Sequence, residues 1–462
     1  MQMPPSPQAP QPTLAPPQPV YAPLRLMGLG LSAMLVPLGS TMIAVALPSI
    51  GLEFSRAPGE LTQWLVTSYL MINIVALGPG GKLGDHWGYG RTLRLGQWLF
   101  GVGCVLPIVF HYFEALVASR ILMALGGAMM VPTVMAVFKI TVPEEKRHRV
   151  FGYLGGMMGF AAALGPSLGG LLVQHFGWSA IFLMNLPPLL LSVFFSVGFF
   201  KEVLHETPAV AFKFDWAGTL LMALALVCLV AGMKDQSILL VPALLLMATF
   251  IWWQAKTPQP LIDLKLFSNR PFAAGCAIVA LQNLGMYAVL FQLPYLLKLL
   301  YQWGPEQTGH TMTTFMVSMM VASMLGGRIA ETIGVRVTCV TGSLISVTGL
   351  LWLSMLTPEK PPLHIAGGLV LAGIGLGLVN GPSQSAAMAT VARTMSGIAS
   401  GVISTCRYLG GVVGISVLTL LLSAPASAQS LAPYHQALLV FAGSFFVAAM
   451  VALLLPAHSK PG

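Results

Sequence analysis

GKLGDHWGYGR, residues Gly81–Arg91, gathers a lysine, an aspartate, a histidine and an arginine among glycines in a chain with only 8% charged residues. A second copy, GRIAETIGVR, runs from Gly327 to Arg336, so the leading glycines stand 246 residues apart (327 − 81). In register, Gly81 matches Gly327, Lys82 matches Arg328, Leu83 matches Ile329, Gly84 matches Ala330, Asp85 matches Glu331 and Gly88 matches Gly334. Small residues let two helix ends approach closely, and a carboxylate can bond a neighbouring helix N-terminus. A tight turn accounts for the glycines but not for an acid that recurs at one offset. The two turns, closed by Arg91 and Arg336, are expected to clasp helices in one arrangement and release them in another.

The chain around these turns has 462 residues, 56% of them hydrophobic, with 49 glycines and a mean hydropathy of +0.81. Soluble domains carry about 25% charged residues, so this is the composition of a membrane protein. Apolar runs long enough to cross about 30 Å of hydrocarbon as helix recur from Leu26 almost to the C-terminus. They read as fourteen spans, near Leu26–Leu47, Leu61–Leu77, Leu93–Phe110, Leu116–Phe138, Val150–Val173, Ile181–Phe200, Trp216–Met233, Ile238–Trp253, Phe272–Leu297, Thr308–Ile329, Val337–Leu356, His364–Met388, Ile398–Leu422 and Ala437–Leu455. With the N-terminus inside, seventeen of the 23 basic residues fall in cytoplasmic segments and four outside, while Arg120 and Arg407 fall within spans. The formal charge of +9 therefore reads as topology, and no shared basic face points to nucleic acid. Residues 1–24 hold nine of the 34 prolines and no charge, which predicts an extended cytoplasmic tail without the pattern of a cleaved signal. Five cysteines stand singly in apolar stretches, away from metal or disulfide spacing.

The two turns follow the second and tenth spans, so the simplest architecture is six spans, two inserted spans and six that repeat the first. The expected divisions are a six-helix bundle over 25–200, cytoplasmic loops plus two inserted helices over 201–271, a second six-helix bundle over 272–456 and a tail over 457–462. Parallel repeats of this kind occur in transporters whose substrate site lies at the repeat interface near the midplane.

These motifs resemble the major facilitator superfamily, and within it the fourteen-span drug/proton antiporter branch. Its loop motif is similar to Gly81, Leu83, Asp85, Gly88 and Arg91, and its second span to Trp64, Thr67, Tyr69 and Pro79. LGPSLGG in the fifth span resembles the family's antiporter motif at Gly165, Pro166, Gly169 and Gly170. GWSAIFLMNLPP matches the branch at Gly177, Trp178, Phe182, Asn185 and Pro187, with Ser179–Ala180 where an Arg-Trp pair is usual. FDWAGTLL at Phe214 to Leu221 and RYLGGVVG at Arg407 to Gly414 also look like this branch. The resemblance implies an all-α major facilitator fold working by alternating access.

Arg120 lies inside the fourth span, where an unpaired charge costs roughly 2.5 to 3.5 kcal/mol by insertion scales. It resembles the family's fourth-span arginine, implicated in proton coupling; the residues around it also allow snorkelling or pairing with Glu114. Gly165–Pro166 and Gly169–Gly170 predict a weakened, closely packed helix suited to a hinge. Polar midspan residues, Thr41 and Asn73 in the first half and Gln282, Asn283, Tyr287, Asn380 and Gln384 in the second, are candidates for a cavity wall. Arg407, near midspan, is expected to face the interior, where it could attract an anionic group. The methionines of Thr311–Met324 offer an adaptable apolar surface.

None of the fourteen acids lies at midspan. Where the resembling branch usually carries an aspartate and a downstream asparagine in its first span, LGSTMIAVALPS has Gly39 and Ala44. Three routes stay open: coupling through Glu114, Glu306 or His310, export driven by the substrate's own gradient or charge, or loss of coupling. The missing anionic trap disfavours lipophilic cations relative to neutral or anionic amphiphiles. No HExxH, GxSxG or phosphate-binding loop is present, so neither an enzyme nor a cofactor is expected. The reading is an exporter of small amphipathic molecules in the inner membrane, monomeric, a periplasmic adaptor being an open question. A sensor or assembly protein on the same fold and an uptake permease are the alternatives.

Overall fold

A computed structural model describes residues 23–203, 215–234, 237–258, 260–392, 395–422 and 431–457. The tail expected over 1–24 lies, but for its last two residues, outside these, as do Lys213, Asp235, Arg393, Lys460, most of the 457–462 tail and the side chain of Asp85. Among the described residues the chain is helical throughout, without strands.

Fourteen principal helices follow one another. They are α1 Pro23–Phe54, α2 Ser68–Trp87, α3 Tyr89–Val109, α4 Phe113–Thr141, α5 Glu144–Phe176, α6 Leu186–Val203, α7 Trp216–Lys234 and α8 Leu240–Lys256. The series continues with α9 Arg270–Tyr301, α10 Pro305–Ile333, α11 Val335–Leu353, α12 Pro362–Met388, α13 Ser396–Leu422 and α14 Ala432–Ala452. Among the described residues thirteen are long and apolar enough to cross a bilayer, and the sixth is described as an apolar stretch over Ala180–Ser196. There Pro187 and Pro188, which lack amide protons, start α6 after a separate turn of helix, Ala180–Leu183. The helices overrun several of the expected spans. α2 is preceded without a break by Pro58–Thr62 and one π turn, Gln63–Thr67, while hydropathy alone marks only the apolar middle.

The same helix pairs pack in both repeats. Helix α1 lies against α5 and α6, α4 against α2 and α3; eight helices later α9 lies against α13 and α14, α12 against α10 and α11. Two seams join the sets, α5 on α10 and α2 on α13, and each maps onto the other under the same exchange. Both turns adopt one geometry: Gly88 and Gly334 have φ of 91° and 90°, each amide bonds the carbonyl four residues back, and each carbonyl accepts from Thr92 or Thr338. A positive φ is the reason for glycine there. The polar packing repeats as well. Gln97 donates to Ser32 at 3.0 Å and to Ser192 at 3.2 Å, and Ser343, at the same 246-residue offset (343 − 97), accepts from Gln282 at 3.1 Å. Interhelical bonds of this type contribute about 0.6 kcal/mol each in membranes.

Helices α7 and α8 form a hairpin tied at its base by Asp215. Its carboxylate accepts from the Gly218 amide at 2.8 Å, the Trp253 indole at 2.8 Å and the Gln254 amide at 2.6 Å, and Gln254 accepts from the Ile262 amide at 3.0 Å. A Cβ at Gly218 would lie 2.1 Å from that carboxylate, which gives FDWAG its physical meaning.

Candidate functional site

The seams define two unlike ends of the bundle. The far end holds the end of α1, the α5–α6 connection and the α9–α10 connection; the motif end holds the Gly88 and Gly334 turns.

At the far end α5 and α10 are in backbone contact. A Cβ on Gly309 would meet the Pro166 carbonyl at 2.2 Å, and one on Gly170 would meet the Pro305 carbonyl at 2.4 Å. The other face of α5 serves α1, where Gly165 rests on Thr41 and Gly169 on Met42. Thus the four small-residue motif positions divide into two i, i+4 pairs, one per neighbour, within a helix that continues through Pro166. Side chains cross the same seam. Ser167 lies 3.1 Å from His310 and 2.7 Å from Thr313, and Glu306 lies 3.5 Å from His175 on α5 and 3.6 Å from His310. His175 escaped the sequence reading because only the packing of the two sets makes it a partner of Glu306. Nearby, Trp178 donates to Glu53 at 2.7 Å and closes the end of α1.

Toward the motif end the seam parts. Gly159 still approaches Met320 at 3.6 Å, but Gly156, Gly155 and Gly152, on the same face of α5, have room for a Cβ with nothing within 4 Å. One turn beyond Met320 on α10, Met324 is 74% exposed, and Gly327 is likewise open. The second seam behaves in the same way. Gly411 of α13 packs on Leu70 of α2 and on Tyr287, whose ring stacks on Phe291 at 6.1 Å. Arg407, four residues earlier on that face, is only half-buried. Its guanidinium donates to Gln384 at 2.7 Å, and Gln384 donates to the exposed Asn380 at 2.7 Å.

Arg120 is placed differently, 1% exposed among α1, α2 and α4. Its Nε donates to the Leu65 carbonyl, within the π turn, at 3.0 Å; Nη1 reaches the Gly39 carbonyl at 3.5 Å; the guanidinium lies 4.2 Å from the centre of the Tyr69 ring. Nη2 has no partner. A charge-assisted bond contributes about 1.5–3 kcal/mol and a desolvated cation–π contact about 2 kcal/mol. Together they offset the roughly 2.5 to 3.5 kcal/mol of insertion cost, so the guanidinium is held without a carboxylate. It neither snorkels nor pairs with Glu114, which is exposed and unpaired at the start of α4. Gly39 is thus part of this enclosure through its carbonyl.

Several expected cavity residues are committed elsewhere in this conformation. Thr41, Asn73 and Asn283 bond carbonyls of their own helices, at 3.0, 2.8 and 2.8 Å, and Gln282 is held by Ser343. Only Asn380, Gln384 and Arg407 come together on an accessible wall. Of the motif turns, Glu331 is exposed, and among the described residues it bonds no neighbouring helix. Arg336 instead donates to the Leu455 carbonyl at 2.6 Å, joining the turn to the segment after α14. Gly81 rests 3.6 Å from Pro132, Leu83 is half-buried, and Arg91 is exposed.

A model of the Major Facilitator Superfamily matches residues 29–415. An uncharacterized MFS-type transporter of Bacillus subtilis (strain 168), YvkA, is 31% identical over 408 residues, covering 86% of this chain and 90% of its own. The tetracenomycin C resistance and export protein of Streptomyces glaucescens is 28% identical, covering 86% of this chain and 75% of its own. Among solved structures, an auto-inhibited POT family peptide transporter superposes with a TM-score of 0.70 at 17% identity, covering 95% of this chain and 98% of that one, a likeness of fold.

Proposed function

The chain belongs to the Major Facilitator Superfamily, and on that premise we propose that it is a secondary exporter of small amphipathic compounds, of the fourteen-span branch, in a cytoplasmic membrane. The N- and C-termini and the motif end face the cytoplasm, in keeping with the bias of basic residues. The observation that carries the reading is the asymmetry of the seams. The two six-helix sets touch through glycine backbones at the far end and part below Gly159 and Met320. This is the arrangement expected of one state of an alternating-access cycle, open to the cytoplasm. Opening the far end requires α5 to separate from α10, and the Gly165–Pro166 segment, lacking one helix hydrogen bond, is where bending costs least.

Glu306 and His310 serve as a gate at the far end and not as carriers of protons across the membrane. The imidazoles of His175 and His310 remain 56% and 58% exposed and the Glu306 side chain 37% exposed while the seam is closed. Side chains so open at this end suit a contact that closes it and not a path across the membrane. The relative named for tetracenomycin C resistance and export supports the outward direction. Measuring substrate retention in cells lacking the protein, with and without its restoration, tests the proposal. Lower retention on restoration is expected, and higher retention would replace the exporter by an uptake permease.

A further inference from the structure

We propose that Arg407 is the headgroup site of the transported molecule and that the substrate class is an amphipathic organic anion, a carboxylate or sulfonate on an apolar body. The inference rests on the exporter reading for its transport arm and on the geometry alone for its binding arm.

Three observations converge. Arg407 stands one turn toward the motif end from Gly411, where α13 touches Leu70 of α2 and Tyr287 of α9, so it lies on the face of α13 that carries the contact with Leu70. It is half-buried, and among the described residues its one hydrogen bond runs to Gln384, which leaves Nε and Nη1 without a protein acceptor there. A guanidinium presents a planar fork that matches a carboxylate or sulfonate through two parallel bonds. Gln384, itself anchored on Asn380, fixes the orientation of that fork from behind.

Charge balance points the same way. Among the described residues no acidic side chain lies at the middle of a membrane-spanning helix, so the interior holds Arg120 and Arg407 without a carboxylate to answer them. Arg120 is enclosed by backbone carbonyls and Tyr69, whereas Arg407 borders the parted seam. An entering anion supplies the missing countercharge, and an entering cation meets a wall of its own sign. The other seam, between α5 and α10, also parts toward the motif end and leaves Met324 and the glycine stripe of α5 open as apolar surface for the body of a ligand. An anion leaving the cytoplasm moves down an inside-negative potential, worth about fiftyfold in distribution per 100 mV for one charge. Export of this class therefore needs no proton-carrying carboxylate, in accord with Gly39.

The test uses the full chain in nanodiscs with matched probes: naphthalene-2-sulfonate and its sulfonamide, pyrene-1-butanoate and its amide, cholate and its amide. At least one anion of the set is expected to bind about tenfold or more tighter than its neutral partner. Arg407→Gln should abolish that preference while leaving amide binding within about twofold, which also shows the variant is folded, and Arg407→Lys should retain most of it. No anion preference in any pair, or a preference that survives Arg407→Gln, overturns the inference. Discs of zwitterionic lipid and discs rich in phosphatidylglycerol separate the source of the anion. Occupation of Arg407 by lipid that excludes every probe also overturns it. Vesicle efflux of the bound anion, accelerated by an imposed inside-negative potential, completes the case. Binding through Arg407 without efflux would sink the exporter reading and leave the site standing.

Discussion

Arg120 and Arg407 are both guanidiniums set within membrane-spanning helices, at opposite sides of the seam's parting. Arg120, toward the closed far end, is enclosed by two carbonyls and an aromatic ring. Arg407, toward the open motif end, is held by one glutamine and keeps donors to spare. Burial with backbone partners makes the first a strut that fixes α4 against the π turn preceding α2. Partial exposure without a countercharge makes the second a receptor. The comparison teaches that a charge in a membrane helix is read by what its unused donors face, since the cost of inserting it is common to both positions.

The largest expected shift between conformations concerns the closed end itself. Gly309→Val drives a side chain into the Pro166 carbonyl, and overpacking of about 1–3 kcal/mol should shift the balance away from the far-closed state by roughly fivefold to 150-fold. Labelling of a cysteine introduced at Thr313, from the far side, should rise accordingly; unchanged labelling would mean that another contact closes this end.

Arg120→Met comes next and bears on the comparison directly. It leaves the Leu65 carbonyl without its donor and loosens a packed site, for a loss of about 2–4 kcal/mol in thermal or denaturant unfolding. Arg407→Met should cost under about 1 kcal/mol. Equal losses at the two positions would erase the distinction between strut and receptor.

Gly39→Asp probes the same strut from the other side. A Cβ at position 39 meets only the Met123 methyl at 3.4 Å and the Asn185 oxygen at 3.6 Å, so a carboxylate can be built beside Arg120. Pairing a guanidinium that is already buried should stabilise the protein by about 1.5–3 kcal/mol and make the interior more tolerant of cationic probes. A lower melting temperature would show that the space beside Arg120 does not admit an acid.

The smallest effect belongs to the exposed latch. His175 Nε2 lies 3.5 Å from the Glu306 carboxylate across the seam, with both side chains well exposed. His175→Gln should weaken closure by at most about 0.2–1 kcal/mol, read at one fixed pH as a small rise in far-side cysteine labelling, and a large rise would show that this contact is a principal latch.

Much of this architecture was legible from glycine and hydropathy. The two turns announce themselves because a positive φ at Gly88 and Gly334 suits glycine above other residues, and their 246-residue offset also relates Gln97 to Ser343. The antiporter-like motif was legible as close packing, although its division between α1 and α10 was not. Asp215 carried a usable signal, an acid directly before an apolar run, which is the pattern of a helix N-terminus. The local bonds of Thr41, Asn73 and Asn283 were not legible, because a polar residue in a membrane helix can bond its own backbone as readily as another partner.

By itself the sequence determined the membrane class, the fourteen helices and their six, two and six order, since hydropathy and glycine act locally and leave their trace at fixed spacings. Only the tertiary structure decided which arginine is enclosed and which is open, that a π turn supplies Arg120 with its carbonyl, and that His175 faces Glu306. Those outcomes depend on how helices far apart in the chain press together, and no residue type encodes its neighbour across a seam.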